Sequence, residues 1–118
     1  MNADTLRAAG VDYDEGLKRM CGSEALYHKF LNKFLEDKSI EQLKENISKG
    51  DIEGAFHAVH ALKGLSGNLS LKPLYEKSCI LCEKLRGGQA GDPEEVAAVY
   101  EAYDAMARAI REQGKGLE

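Results

Sequence analysis

Apolar side chains recur every three or four positions along nearly the whole chain, and no stretch alternates apolar with polar residues. That spacing gathers apolar groups on one face of a helix and on neither face of a strand. No Asn-Gly or Asp-Gly pair marks a hairpin. An all-α fold follows. The pattern is cleanest between Asp51 and Leu69, where Ile52, Ala55, Phe56, Val59, Leu62, Ser66 and Leu69 fall on one stripe.

The punctuation between segments divides the rest. Val11 to Met20 reads as a short helix with Leu17 and Met20 on one face, closed by Cys21-Gly22. Ser23 can cap the next helix, with Glu24 in its first turn. Leu26, Tyr27, Phe30, Leu31, Phe34 and Leu35 give that helix a broad apolar face. Ser39-Ile40-Glu41-Gln42 has the capping-box spacing, Ile40, Leu43 and Ile47 follow at helical intervals, and Gly50 stands where a left-handed C-terminal residue belongs. Pro73 disfavours helix at Lys72 and suits the first turn of a new one, so the chain bends between Asn68 and Lys72. Leu74, Ser78, Leu81 and Leu85 then form a packing seam. After the loop at Gly87 to Gly91, Asp92-Pro93-Glu94-Glu95 supplies a cap, an N1 proline and acids at the positive end of the dipole. Val96, Val99, Tyr100, Tyr103, Met106 and Ile110 mark the buried face of this last helix. The expected architecture is an antiparallel four-helix bundle over about residues 38–112 with additional short N-terminal helices. It is one domain, 10–112, between flexible tails at 1–9 and 113–118.

The central helix carries the candidate chemistry. His60 lies about 100° round from Val59, on the flank of the stripe. Gly64 and Gly67 are its +4 and +7 neighbours on the same strip of surface. Each glycine in a helix interior costs roughly 0.8–1 kcal/mol against alanine. Two beside one histidine point to close approach, either of a packed helix or of a partner. Lys63, the +3 neighbour, borders the stripe, so its stem can lie on the core edge with its ammonium beside the histidine.

His60-Ala61-Leu62-Lys63-Gly64, followed by Ser66, Gly67 and Asn68, resembles the signature of histidine-containing phosphotransfer (HPt) domains, the phosphocarriers of multi-step two-component relays. The frame is similar too, with Gly50-Asp51 opening the helix and a long helix after Leu71 ending at Gly87-Gly88. Ser70 departs from the pattern, since the family often has glycine there. The resemblance implies that His60 accepts the phosphoryl group, that Lys63 supports it, and that Gly64 and other small residues keep the face open. Gly67 is assigned with Gly64 to partner docking, and His57 to the rim of the same face. The implied partners are receiver domains of response regulators, with a hybrid sensor kinase as a further class. Mg²⁺ is expected on the receiver.

Composition narrows the alternatives. The net charge is −4 and no basic run occurs, which argues against nucleic acid. No apolar run approaches the ~18 residues of a membrane span, and Met1 to Gly10 has no apolar signal-peptide core. A cytoplasmic location without membrane insertion is expected. No Gly-x-x-x-x-Gly-Lys loop or Rossmann glycine pattern binds a nucleotide, so the chain reads as a transfer intermediate and not as an enzyme. Neutral imidazole has its own lone pair and needs no general base. His57 and His60 offer a metal only two ligands, so no metal or cofactor is expected on this chain. His28 reads as structural. Cys79 and Cys82 sit inside a helical pattern with no second pair for zinc, and read as ordinary helix cysteines. The competing reading is a non-catalytic helical adaptor that binds a signalling partner through the same face. Phosphate on His60 separates the two.

Overall fold

Helix boundaries follow the punctuation closely. The computed structural model describes residues 3–115 and contains seven α-helices within them. They are α1 (Ala3–Ala8), α2 (Tyr13–Arg19), α3 (Glu24–Phe34), α4 (Ser39–Lys49), α5 (Ile52–Asn68), α6 (Lys72–Arg86) and α7 (Pro93–Lys115). Side-chain acceptors cap three N-termini: Asp12 takes the Glu15 N–H at 3.1 Å, Ser23 that of Leu26 at 3.1 Å, and Asp51 that of Gly54 at 2.9 Å. At α7 the Glu95 carboxylate reaches back to the Asp92 N–H at 3.0 Å.

The start of α4 differs from the expected capping box. Ser39 is already helical and is buried, and the residue before it, Lys38, makes no side-chain cap. Asp37 instead accepts the Ser39 N–H at 2.9 Å. A carboxylate is the stronger acceptor, and Ser39 is packed inside.

Five helices end in the same way. The N–H following a left-handed residue returns to the carbonyl five positions back: Val11 to Leu6, Gly22 to Leu17, Asp51 to Asn46, Leu71 to Ser66 and Gln89 to Lys84. Glycine is the left-handed residue in three of them; Cys21 (φ 55°) and Ser70 (φ 58°) are the exceptions. Ser70 therefore holds a conformation natural to glycine.

The turns Gly50-Asp51, Leu69–Leu71 and Gly87–Asp92 are short, so α4 to α7 run antiparallel as a four-helix bundle. α5 packs between α4 and α6, and α7 closes against α6. Ala55, Val59, Leu62, Ser66 and Leu69 of the predicted α5 stripe are buried, as are Leu74, Ser78, Leu81 and Leu85 of α6. Of the apolar face predicted for α3, Tyr27, Leu31 and Phe34 are buried, with Phe34 against the Tyr103 ring of α7 at 5.1 Å. Leu26 and Phe30 stay exposed, at 39% and 37%. His28 is structural as read: the Tyr13 hydroxyl meets its Nε2 at 2.6 Å, and burial lowers its pKa.

The ends depart from the expected tails. Residues 3–8 form α1, Leu6 is fully buried, and α1 packs on α7. Thr5 to Ala9 carries only a weak helical hint, with one leucine and no periodicity, so the docking of this helix rests on tertiary contact. At the other end α7 runs through Gly114 to Lys115, and 116–118 of the expected tail lie outside the described residues. Among the described residues no helix is long and apolar enough to cross a membrane.

Two stability changes follow. Leu6→Ala should destabilise the whole domain by about 2–5 kcal/mol in urea unfolding, because the cavity lies in the common core. A flexible segment would give almost none. Ser70→Gly should stabilise by about 1 kcal/mol on relieving the left-handed serine, read as a raised midpoint at constant slope.

Candidate functional site

Residues on α5 divide sharply by face. Ala58, Val59 and Leu62 are buried while His60 is exposed between them in sequence. Phe56, one turn earlier, is half-buried and sets its ring centroid 5.7 Å from that of His60. The Arg86 guanidinium of α6 lies 5.7 Å over the same Phe56 ring. This shelf flanks the imidazole on its N-terminal side. Behind the helix, the buried Ser66 hydroxyl donates to the Leu62 carbonyl at 2.7 Å, so the one polar member of the stripe is satisfied internally.

The two glycines have different surroundings. A Cβ on Gly64 would meet nothing within 4 Å. A Cβ on Gly67 would meet the Tyr75 ring of α6 at 3.2 Å. Gly64 thus leaves an open surface, while Gly67 gives the Tyr75 ring room to lie on α5.

His60, Lys63, Gly64, Gly67 and Asn68 of α5 form one wall of a concavity of about 390 Å³. Lys72 and Tyr75 of α6 and Arg19 of α2 complete it. Sequence reasoning missed these last three and Asn68 as site residues. Nothing local marks Arg19, which lies far from His60 along the chain and arrives only through the docking of α2. Glu15 touches both added cations: its carboxylate is 2.6 Å from Lys72 Nζ and 3.4 Å from the Arg19 guanidinium. The Lys72 ammonium holds the Glu15 carboxyl below its usual range, and Glu15 raises Lys72 in return. Lys63 makes no ion pair among the described residues. Three cations line the groove against the carboxylates of Glu15 and the nearby Asp12, which leaves it receptive to an anion.

A larger groove of about 850 Å³ adjoins it, sharing Arg19 and Asn68. Its walls include Met20, Phe30, Phe34, Leu65 and Leu69. It is the more apolar of the two and contains no histidine. His57 is exposed, 4.0 Å from Glu53 and edge-on to Phe56, and does not line the concavity. Among the described residues no cluster of three His, Cys, Asp or Glu side chains could hold a metal. Cys79 and Cys82 are unpaired thiols, and burial raises Cys82.

The family model described as the Hpt domain matches residues 26–113, and the chain belongs to that family. Hpt domains are phosphocarriers of two-component phosphorelays, working with kinases and receiver domains without being kinases themselves. No curated protein and no solved structure matched the chain. The matched segment starts within α3, so α1 and α2 precede it.

Alanine at the two glycines should separate their roles. Gly64→Ala should raise stability by up to about 1 kcal/mol, the full helix-propensity gain. Gly67→Ala should gain less, because the Tyr75 ring must give way. Thermal melts of the two variants check this; equal gains would remove the distinction.

Proposed function

We propose that this chain carries a phosphoryl group on His60, exchanging it with the phosphorylated aspartate of receiver domains. The observation that supports this most is the open surface at Gly64, beside an exposed imidazole in a groove lined by cations. A neutral imidazole nitrogen attacks the phosphorus of an aspartyl phosphate. The N–P bond forms as the acyl O–P bond breaks, and the aspartate leaves as carboxylate. Both nucleophiles must approach in line, so the surface around the ring has to admit the partner. Lys63, half-buried and free of any ion pair among the described residues, offers its ammonium to the equatorial oxygens as charge passes between the nucleophiles.

The partner supplies the rest of the chemistry in this reading. Its acidic pocket and Mg²⁺ activate the aspartyl phosphate, and this chain binds no cofactor of its own. The larger groove beside the site, which mixes apolar with charged residues and includes the exposed Phe30, offers the receiver a surface to seat against while its aspartate meets His60. Gly64 serves this docking directly. Gly67 serves it through Tyr75, and His57 serves as an exposed rim residue.

Incubation with phosphorylated receiver domains tests the assignment. His60→Gln should fold normally and accept no acid-labile, base-stable phosphate; label retained on His57 or His28 would overturn it. Lys63→Ala should keep its melting temperature and slow transfer on the order of tenfold or more. Gly64→Leu should block transfer while leaving the helix intact.

A further inference from the structure

Helix α2 precedes the segment matched to the family, yet it supplies a wall of the groove that holds His60. Its position there is specified by the backbone. The Asp12 N–H donates to the Ser70 carbonyl at 3.0 Å, and Val11 pairs with Leu71 just before α6 begins. Arg19 in the last turn of α2 and Lys72 in the first turn of α6 therefore reach the same space, with Glu15 in contact with both.

We propose that Arg19 and Lys72 form a second phosphoryl-binding arm of this site, and that Glu15 is the positioning residue that sets their reach. This rests on the phosphocarrier reading of His60. A phosphoryl group carries roughly −1.5 to −2 charges near neutral pH, more than the Lys63 ammonium alone can balance. Arg19 and Lys72 share the Glu15 carboxylate with Asp12 nearby, and together with Lys63 the groove keeps a net positive charge. The guanidinium has five N–H donors and the ammonium three, and Glu15 engages only part of them. Their side chains are 48% and 43% exposed, so either head can turn to a phosphoryl oxygen without disturbing the core. Glu15, 31% exposed and lying between them, holds both cations at the groove before any phosphate arrives. Donors fixed in advance stabilise transferred charge better than donors that must be gathered. Helix α2 then belongs to the site and is not merely a cover for the bundle.

Phosphoramidate is a suitable probe, because it needs no partner protein. An imidazole nitrogen attacks its phosphorus, its P–N bond breaks, and ammonia leaves with the bonding pair. Phosphohistidine formation on the full chain is followed at several salt concentrations, with a thermal melt of every variant. Arg19→Ala/Lys72→Ala should take up phosphate at least tenfold more slowly than wild type at low salt, with a flatter salt dependence. Arg19→Lys should retain most of the rate. Glu15→Gln should slow uptake even though it makes the groove more positive; acceleration would overturn the positioning role. If the double variant does not fold, Arg19→Ala carries the test, since it leaves the contact between Glu15 and Lys72 in place. Label on wild type, with unchanged rate and salt dependence in Arg19→Ala and the double variant, overturns the arm alone. No label on wild type, or label that survives His60→Gln, overturns the acceptor assignment and the arm together.

Discussion

The chain reverses direction inside the protein at Leu69, Ser70 and Leu71, which are 2%, 1% and 0% exposed. A buried turn exposes polar backbone groups to an apolar interior, and each unpaired one would cost about 1–3 kcal/mol. Here they find partners from distant parts of the chain. The Tyr27 hydroxyl donates to the Leu69 carbonyl at 2.6 Å, and the Ser70 carbonyl accepts from Asp12 at 3.0 Å. The Leu71 N–H closes the end of α5 on Ser66 at 2.9 Å, while its carbonyl opens α6 by accepting from Tyr75 at 3.0 Å. Gly16 makes this possible, since a Cβ there would collide with the Tyr27 ring. Helices α2, α3, α5 and α6 are thus joined at one point, and the groove containing His60 opens beside it.

That junction explains how an exposed histidine can be held on a rigid frame. One face of α5 is locked into the core by its aliphatic stripe, and its C-terminal end is fixed by the turn. His60 is left free to meet solvent or a partner without loosening the helix. The two glycines weaken α5 locally, but in different ways. Gly64 keeps the surface bare, whereas Gly67 lets the Tyr75 ring of α6 lie close against α5. Helix weakness near the site is therefore offset on one side by packing and left open on the other.

Charge follows the same arrangement. The protein carries a net charge of −4, yet the groove gathers Arg19, Lys63 and Lys72, with Glu15 in contact with two of them and Asp12 near Lys72. The local field is set by where three helices meet and not by overall composition. The adjoining, more apolar groove shares Arg19 and Asn68 with it, so the two are continuous.

Much of this was legible in the residues alone. The stripe from Ile52 to Leu69, the cap at Ser23, the stop at Gly50 and the start at Asp92-Pro93 all act within a few positions along the chain. Helical periodicity and capping are local, so the sequence by itself determined the main helices, the bundle class and the exposure of His60 beside Lys63 and Gly64. Residues whose role depends on distant neighbours were not readable. Leu6 has no periodic companions, Ser39 yields its cap to Asp37, Gly67 looks like Gly64 until Tyr75 is placed against it, and Tyr27 reads simply as part of an apolar face. Arg19 lines the groove of the histidine because α2 docks on the buried turn after α5 through Asp12, and Lys72 because that turn leads directly into α6. Tertiary structure alone decided the walls and charge of the groove, because chain reversal, and not local spacing, determines which side chains from separate helices share one space.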